Sequence, residues 1–367
     1  MSSLLSQDVF GEMCRRVPEL AVDPDEWVRM MMRWHFSDDT GSQYWVQRRR
    51  GLGFDPIGDV RRVDDLLLFD LFDKEVLRSI DVVELVPKAF DGKPRRIFET
   101  GGTSGPPCRV VDVTMGTYNV ALYRVMLEVR GLEGGDILAM TPSGPHAYGT
   151  FVGRLADTWG GNVCYIDFDP RWIKELIREG RDADPYVDHL LRQTIELLHS
   201  QKPALLFTTS KLLIALVAAL DRPLSSYGIK AVCTGGTSCS SEEQRYLREN
   251  FLQEVQWIDT YGNTLMGHAL QADPRPGDRR RAYYLPSPQA FIKIVDPENW
   301  RSERDLGACG RVLLQTLHRD LFIPNLLERD VAKSVAPHPW FPFRGVADVG
   351  PYTNVNDERS RNVEGVY

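Results

Sequence analysis

Phe98-Glu99-Thr100-Gly101-Gly102-Thr103-Ser104-Gly105-Pro106-Pro107 is the stretch on which the reading of this chain turns. From Thr100 to Gly105 it sets three glycines among three hydroxyl side chains, directly after a short apolar and acidic run. Glycine lets a backbone approach a ligand closely and take positive φ, while hydroxyls and bare amides supply hydrogen bonds. Such a loop suits an anion rich in acceptor oxygens, for example a nucleoside triphosphate. It is also the composition of a surface turn, so its surroundings decide. Pro106 and Pro107 follow at once, which keeps a helix from starting there and speaks against a dinucleotide-binding fingerprint. The chain holds no G-x-x-x-x-G-K-[ST] and no G-x-S-x-G, which leaves out a Walker-type phosphate loop and a hydrolase nucleophile elbow.

Outward from the loop, apolar runs of strand length alternate with helical stretches. Residues 137–140, 163–166, 204–208, 229–233 and 255–259 predict buried strands, and 115–130, 171–178, 186–200, 211–220 and 241–251 predict helices. Ser240 or Ser241 followed by Glu242-Glu243 is an N-capping pattern. Strands that alternate with helices imply an α/β fold whose mostly parallel sheet is covered on both faces. Before the loop, residues 1–90 read as a helical part with aromatic anchors at Trp27, Trp34, Tyr44 and Trp45. The expected core, binding nucleotide and acid, covers 91–280. From Arg281 the pattern turns to strands without long helices, as at 290–295 and 311–317, which predicts a small β-rich, barrel-like subdomain over 281–350. A loosely ordered polar tail over 351–367 completes the division.

The 367 residues carry a formal charge of −7, with 43% hydrophobic and 26% charged side chains. That is the composition of a globular protein, and the acidic balance argues against a nucleic-acid partner. The longest apolar run, 212–220, is too short to span a bilayer and reads as a buried helix. The start lacks a basic segment leading into an apolar one, so no secretion signal is expected. Six scattered cysteines form no C-x-x-C pair, so reduced thiols in a cytoplasmic protein, without a metal site, are expected.

Four segments stand where open α/β sheets bind ligands, just beyond the carboxyl ends of expected strands. They are Thr100 to Gly105, Gly235-Gly236-Thr237, Asp259-Thr260-Tyr261-Gly262-Asn263-Thr264 and Glu328-Arg329-Asp330-Val331. In this order they resemble the signature of the adenylate-forming superfamily: acyl-CoA synthetases, aryl-CoA ligases, luciferases and the adenylation domains of peptide synthetases. The first resembles that family's T-S-G-T-T-G-x-P-K phosphate loop. Gly235-Gly236-Thr237 resembles its adenine-binding turn, Tyr261-Gly262-Asn263-Thr264 its Y-G-x-T-E motif, and Asp330 its ribose-binding aspartate.

The resemblance implies a nucleotide site of Thr100, Gly101, Gly102, Thr103, Ser104, Gly105, Gly235, Gly236, Thr237, Tyr261, Gly262, Asn263, Thr264 and Asp330. Thr264 and Arg109 are the implied catalytic residues, and ATP with Mg2+ the implied cofactors. An acid pocket is implied beside Thr141 to Gly149, with His146, Tyr148 and Gly149 facing the substrate. Tyr261 is otherwise a core tyrosine, Asp330 a surface ion pair with Arg329, and His146 and Tyr148 packing residues of a turn. Three departures stand out. Cys108 takes the place of the loop lysine, Leu265 that of the magnesium-binding glutamate, and the family's mobile C-terminal lid domain is expected to be absent.

Trp34-His35-Phe36, Thr40-Gly41, Tyr44-Trp45 and Gly53-Phe54-Asp55-Pro56 resemble the phenylacetate-CoA-ligase-like branch. Within it, the short adenylating proteins of phenazine-antibiotic (griseoluteate-type) biosynthesis are most similar. The implied activity is ATP-dependent activation of an aromatic carboxylic acid, of phenazine carboxylate type, to an acyl adenylate with release of pyrophosphate. Implied partners are that acid, a downstream reductase or acyl-acceptor protein, and a second copy of the chain, with no membrane. The alternatives are a catalytically weak nucleotide- and aryl-acid-binding carrier or scaffold, and an acyl-protein synthetase or CoA ligase working with a partner.

Overall fold

The computed structural model describes residues 8–100, 106–237, 239–273 and 281–352. Gly101, Gly102, Thr103, Ser104 and Gly105 of the glycine loop, and the tail from 353, lie outside them. The strands in chain order are β1 (Arg96–Glu99), β2 (Arg109–Asp112), β3 (Ile137–Ala139), β4 (Val163–Tyr165), β5 (Leu205–Thr208), β6 (Ala231–Gly235), β7 (Gln256–Asn263), β8 (Gly267–Gln271), β9 (Ala282–Tyr284), β10 (Ala290–Val295), β11 (Cys309–Leu317), β12 (Phe322–Val335) and β13 (Gly345–Pro351). Two compact units divide the described chain: residues 126–262 form one, and 8–100, 106–125 and 263–352 the other.

The 126–262 unit is built on parallel strands in the order β7-β6-β5-β3-β4. Its strands are short apolar runs, fully buried in β3, β5 and β6, as expected where helices cover a parallel sheet. Helices Pro170–Arg178, Asp184–Ser200, Ser210–Ala219 and Ser241–Asn250 place Ile173, Leu190, Leu213 and Leu247 in one core with Leu138, Leu206, Val232 and Trp257. The last helix starts on a capping box, Ser240 and Glu243 each bonding the other's amide. Glu243 also ties that helix to Lys211 at 2.7 Å. A helix not foreseen from sequence, Ala147–Trp159, begins inside the stretch expected as the acid-pocket loop, so Tyr148 and Gly149 occupy its first turn. Gly149 is what permits this, because a Cβ there would stand 2.3 Å from the Pro142 carbonyl oxygen.

In the second unit β8 to β13 are joined by antiparallel pairings in the order β10-β11-β12-β13-β9-β8. The helical stretch before the glycine loop belongs to this same unit. Trp27, Met31, Phe36, Trp45, Leu66 and Phe69 share a core with Leu317 and Phe322. The Trp27 and Trp34 indoles donate to the carbonyls of Leu317 and Arg319 at 3.0 and 2.9 Å, and Asn325 donates to those of Leu66 and Phe69. A separate hairpin pairs β1 with β2, Glu99 opposite Arg109. Helix Met115–Glu128 follows it, and its first amides are met by a distant carboxylate. Asp320 accepts from the N–H groups of Val113, Thr114 and Met115 at 2.7, 2.6 and 2.9 Å.

Two of the four expected loops are strand instead. β7 continues through Tyr261 and Gly262 to Asn263, and β12 runs through Glu328-Arg329-Asp330 to Val335. The charged run concealed the second case. Leu313 pairs with Leu327 and Arg311 with Val331, so Glu328, Arg329 and Asp330 stand opposite Val312 alone. That is a β-bulge, a device that re-aims side chains at the cost of local pairing.

Candidate functional site

In the 126–262 unit the candidate residues gather at the carboxyl ends of β5, β6 and β7. Gly235 pairs with Thr260 across β6 and β7, and a Cβ on Gly235 would meet the Thr260 hydroxyl at 2.7 Å and the Tyr148 ring at 3.8 Å. Gly236 turns the chain with φ +82°. Thr237 is anchored to the scaffold: its hydroxyl accepts from the Ser210 amide at 3.1 Å, at the start of helix Ser210–Ala219. The Tyr148 hydroxyl reaches the carbonyls of Thr208 in β5 at 3.3 Å and Cys233 in β6 at 3.5 Å, which sets the expected acid-pocket tyrosine beside Gly235. Its ring continues a row of aromatics, with Phe151 at 6.5 Å and Phe207 at 6.4 Å beyond. His146 is buried, just ahead of the helix. Tyr261 and Gly262 are half-buried at the end of β7. Residues the sequence did not single out brace this end: Thr234 bonds Asp259, accepts from the Trp257 indole at 2.8 Å and receives Thr260 on its carbonyl at 3.1 Å.

In the second unit the neck of the glycine loop is closed by Thr100 and Cys108. The Thr100 amide donates to the Cys108 carbonyl, and the Cys108 amide to the Thr100 hydroxyl, each at 2.9 Å. Arg109, expected as catalytic, forms an exposed ion pair with Glu99 at 2.9 Å, its neighbour across the β1–β2 ladder. Asn263 folds the turn after β7, accepting from the amides of Leu265 and Met266 at 2.8 and 3.1 Å. Thr264 stands half-buried in that turn, while Leu265 is only 2% exposed.

The Asn263 amide also donates to Glu328 at 3.1 Å. The other Glu328 oxygen holds the Lys74 ammonium at 2.8 Å. Arg311 donates to the Glu328 carbonyl at 2.6 Å and stacks on Tyr352 at 4.9 Å. Asp330, half-buried, lies in the same bulge and pairs with Pro351 of β13. Sequence reasoning missed Lys74 and Arg311, and named Glu328 only as the start of the Asp330 segment without a partner, because these contacts form only on folding. The one available signal was the acidic Glu328 two residues before Asp330.

Magnesium can be tested against this donor set. Among the described residues no group of three or more His, Cys, Asp or Glu could hold a metal ion, and both oxygens of Glu328 are engaged by Lys74 and Asn263. Mg2+ takes one or two carboxylates at octahedral spacing and otherwise water or phosphate. Glu328, with both oxygens engaged, is therefore not an open ligand for Mg2+. No described helix is long and apolar enough to cross a membrane.

The chain combines a parallel α/β unit with an antiparallel one, a mixed α/β fold with solved counterparts. In particular, the chain is similar to 2-hydroxyisobutyryl-CoA ligase in complex with 2-HIB-AMP and CoA in the thioesterification state: TM-score 0.67 at 11% identity, over 90% of this chain and 68% of that one. The postadenylation state of the same ligase with 2-HIB-AMP gives a TM-score of 0.63 at 12% identity, over 88% of this chain and 65% of that one. The chain thus spans about two thirds of the ligase's length, and at these identities the likeness is one of fold. No family model matches the sequence, and no curated protein matches it.

Proposed function

We propose that this protein activates a carboxylic acid as its acyl adenylate, consuming ATP and releasing pyrophosphate. One observation carries the reading. Gly235-Gly236 and Tyr261-Gly262 stand side by side at the ends of adjacent parallel strands, in a fold similar to that of a ligase bound to its own acyl adenylate. In the reaction a carboxylate oxygen attacks the α-phosphorus of ATP. The bond from that phosphorus to its bridging oxygen breaks, and pyrophosphate leaves with the electron pair. Chemistry of this kind asks for positioning and for donors aimed at developing charge.

Each candidate side chain then has a task. Asp330 accepts from the ribose diol, a geometry that a carboxylate suits. Tyr261 offers its ring to the purine beside a glycine that leaves room for it. Thr264 donates to phosphate oxygens, and Mg2+ arrives as part of the ATP substrate. Tyr148, half-buried beside Gly235, offers a ring to the acid, which favours a planar aromatic substrate. A phenazine carboxylate is the specific candidate, in secondary-metabolite biosynthesis in the cytoplasm, with a reductase or acyl-acceptor protein downstream.

The test is ATP–pyrophosphate exchange over a panel of benzoate, phenylacetate, phenazine carboxylate and short aliphatic acids. Aromatic acids should support exchange, and Asp330→Ala should raise the KM for ATP roughly a hundredfold or more, the worth of two lost bonds to a charged acceptor. Absence of exchange with every acid would overturn acid activation, and exchange with aliphatic acids alone would overturn the aromatic assignment. Buried Leu265, where the resemblance puts an acid, favours a second reading: a nucleotide- and acid-binding protein with little turnover. Tight acid binding without exchange is its signature.

A further inference from the structure

A nucleoside triphosphate needs positive charge beside its phosphates, and the glycine loop carries none of its own from Thr100 to Cys108. The next residue, Arg109, is turned onto Glu99 along an exposed ladder. Lys74 is differently placed. Its backbone carbonyl lies 3.9 Å from the Cys108 sulfur, at the neck of the loop. Its ammonium lies 2.8 Å from Glu328, whose other oxygen holds Asn263 and which is two residues from Asp330. Cys108 at the neck of the glycine loop, Asn263 and Glu328 of the bulge therefore all touch this one lysine or its partner. Nearby cations are otherwise committed: Arg311 to the Glu328 carbonyl and the Tyr352 ring, and Arg78 to the Pro106 carbonyl and Glu75.

We propose that Lys74 is the cation that meets the phosphates of ATP, held ready by Glu328, itself fixed by Asn263, beside Cys108. The inference rests on the adenylating reading and deepens it by naming the group that takes the place of the lysine replaced by Cys108. Burial favours the assignment. The Glu328 side chain is 8% exposed and fixed by two donors, while that of Lys74 is 28% exposed and reachable from solvent. An ammonium has more N–H donors than one carboxylate oxygen uses, so Lys74 can keep Glu328 and still donate to phosphate. As pyrophosphate departs, the same ammonium stabilises the charge growing on the leaving group.

The experiment compares the full chain with Lys74→Met and Lys74→Arg. It reads ATP–pyrophosphate exchange and calorimetric binding of ATP and adenosine, with circular dichroism to check folding. Lys74→Met should lower exchange about 100-fold, the usual cost of one lost transition-state donor. It should weaken ATP about tenfold and leave adenosine within about twofold, since adenosine lacks the phosphate contact. Lys74→Arg should recover part of both losses. Equal ATP affinity and near-equal exchange in Lys74→Met would overturn the role of Lys74 while leaving acid activation standing. If the unaltered chain binds ATP but exchanges with no acid, acid activation fails, and the ATP-against-adenosine comparison still decides on Lys74. A chain that binds no ATP overturns both. Should Lys74→Met fail to fold, acetic anhydride labelling of the unaltered protein replaces it. ATP, and not adenosine, should then shield Lys74 in peptide mass spectrometry, and equal labelling would overturn the proposal.

Discussion

His35 shows how a single side chain takes its properties from the far end of the chain. Its imidazole is buried, with Nε2 2.8 Å from the His318 carbonyl and its ring stacked on Phe322 at 5.3 Å. Burial pushes its pKa down to about 4, and His318 is pushed to about 4 by the same cause. An unfolded histidine titrates near ~6.5, so between there and about 4 the unfolded chain binds protons that the folded chain refuses. Stability is therefore complete above that window and is lost as pH falls through it, by up to ~1.4 kcal/mol per pH unit for each histidine. Urea titrations at pH 7.5, 6 and 5 should show the decline. His35→Gln keeps a donor for the His318 carbonyl and removes one titrating group, so its decline should be shallower by about one proton. The sequence shows His35 between Trp34 and Phe36, but its burial depends on residue 318 and was not legible there. The pairing of Lys74 with Glu328, separated by 254 positions, escaped the sequence reading for the same reason.

Among the elements, the parallel strands and their helices were readable because each is a local run with local boundaries. Strand β3 was expected over 137–140 and spans Ile137–Ala139. The helix expected over 241–251 spans Ser241–Asn250 behind its Ser240 cap. Elements with non-local causes were not readable. The bulge of β12 looked like a strand end because charge interrupts its apolar run, and helix Ala147–Trp159 hid behind a first turn that holds Gly149. Helix Met115–Glu128 was foreseen, yet its cap was not, since Asp320 lies 205 positions beyond Met115. Asp320→Ala would leave three backbone amides and the Thr114 hydroxyl without that acceptor. The expected loss is about 3 kcal/mol of unfolding free energy, as for removal of a buried charged partner, read as a lower urea midpoint at unchanged slope.

For the whole molecule, the division of the chain differs from the expected one. The helical N-terminal stretch and the late β-rich stretch, expected as separate parts, belong to one unit. Trp27 and Phe36 sit in a single core with Leu317 and Phe322. Nothing local in the first ninety residues announces that partnership. Trp27→Ala should cost about 3–5 kcal/mol, measurable by chemical denaturation, because the indole is 1% exposed and its N–H is spent on the Leu317 carbonyl.

That indole and its acceptor are 290 positions apart. At about 5–20 residues per second on the ribosome, roughly 15–60 s pass between synthesis of the tryptophan and synthesis of its partner. Throughout that interval the nascent chain displays an aromatic-rich stretch without its Leu317 and Phe322 partners. Its yield in a living cell should therefore depend on chaperone supply and growth temperature more steeply than the finished protein's own thermal endurance suggests.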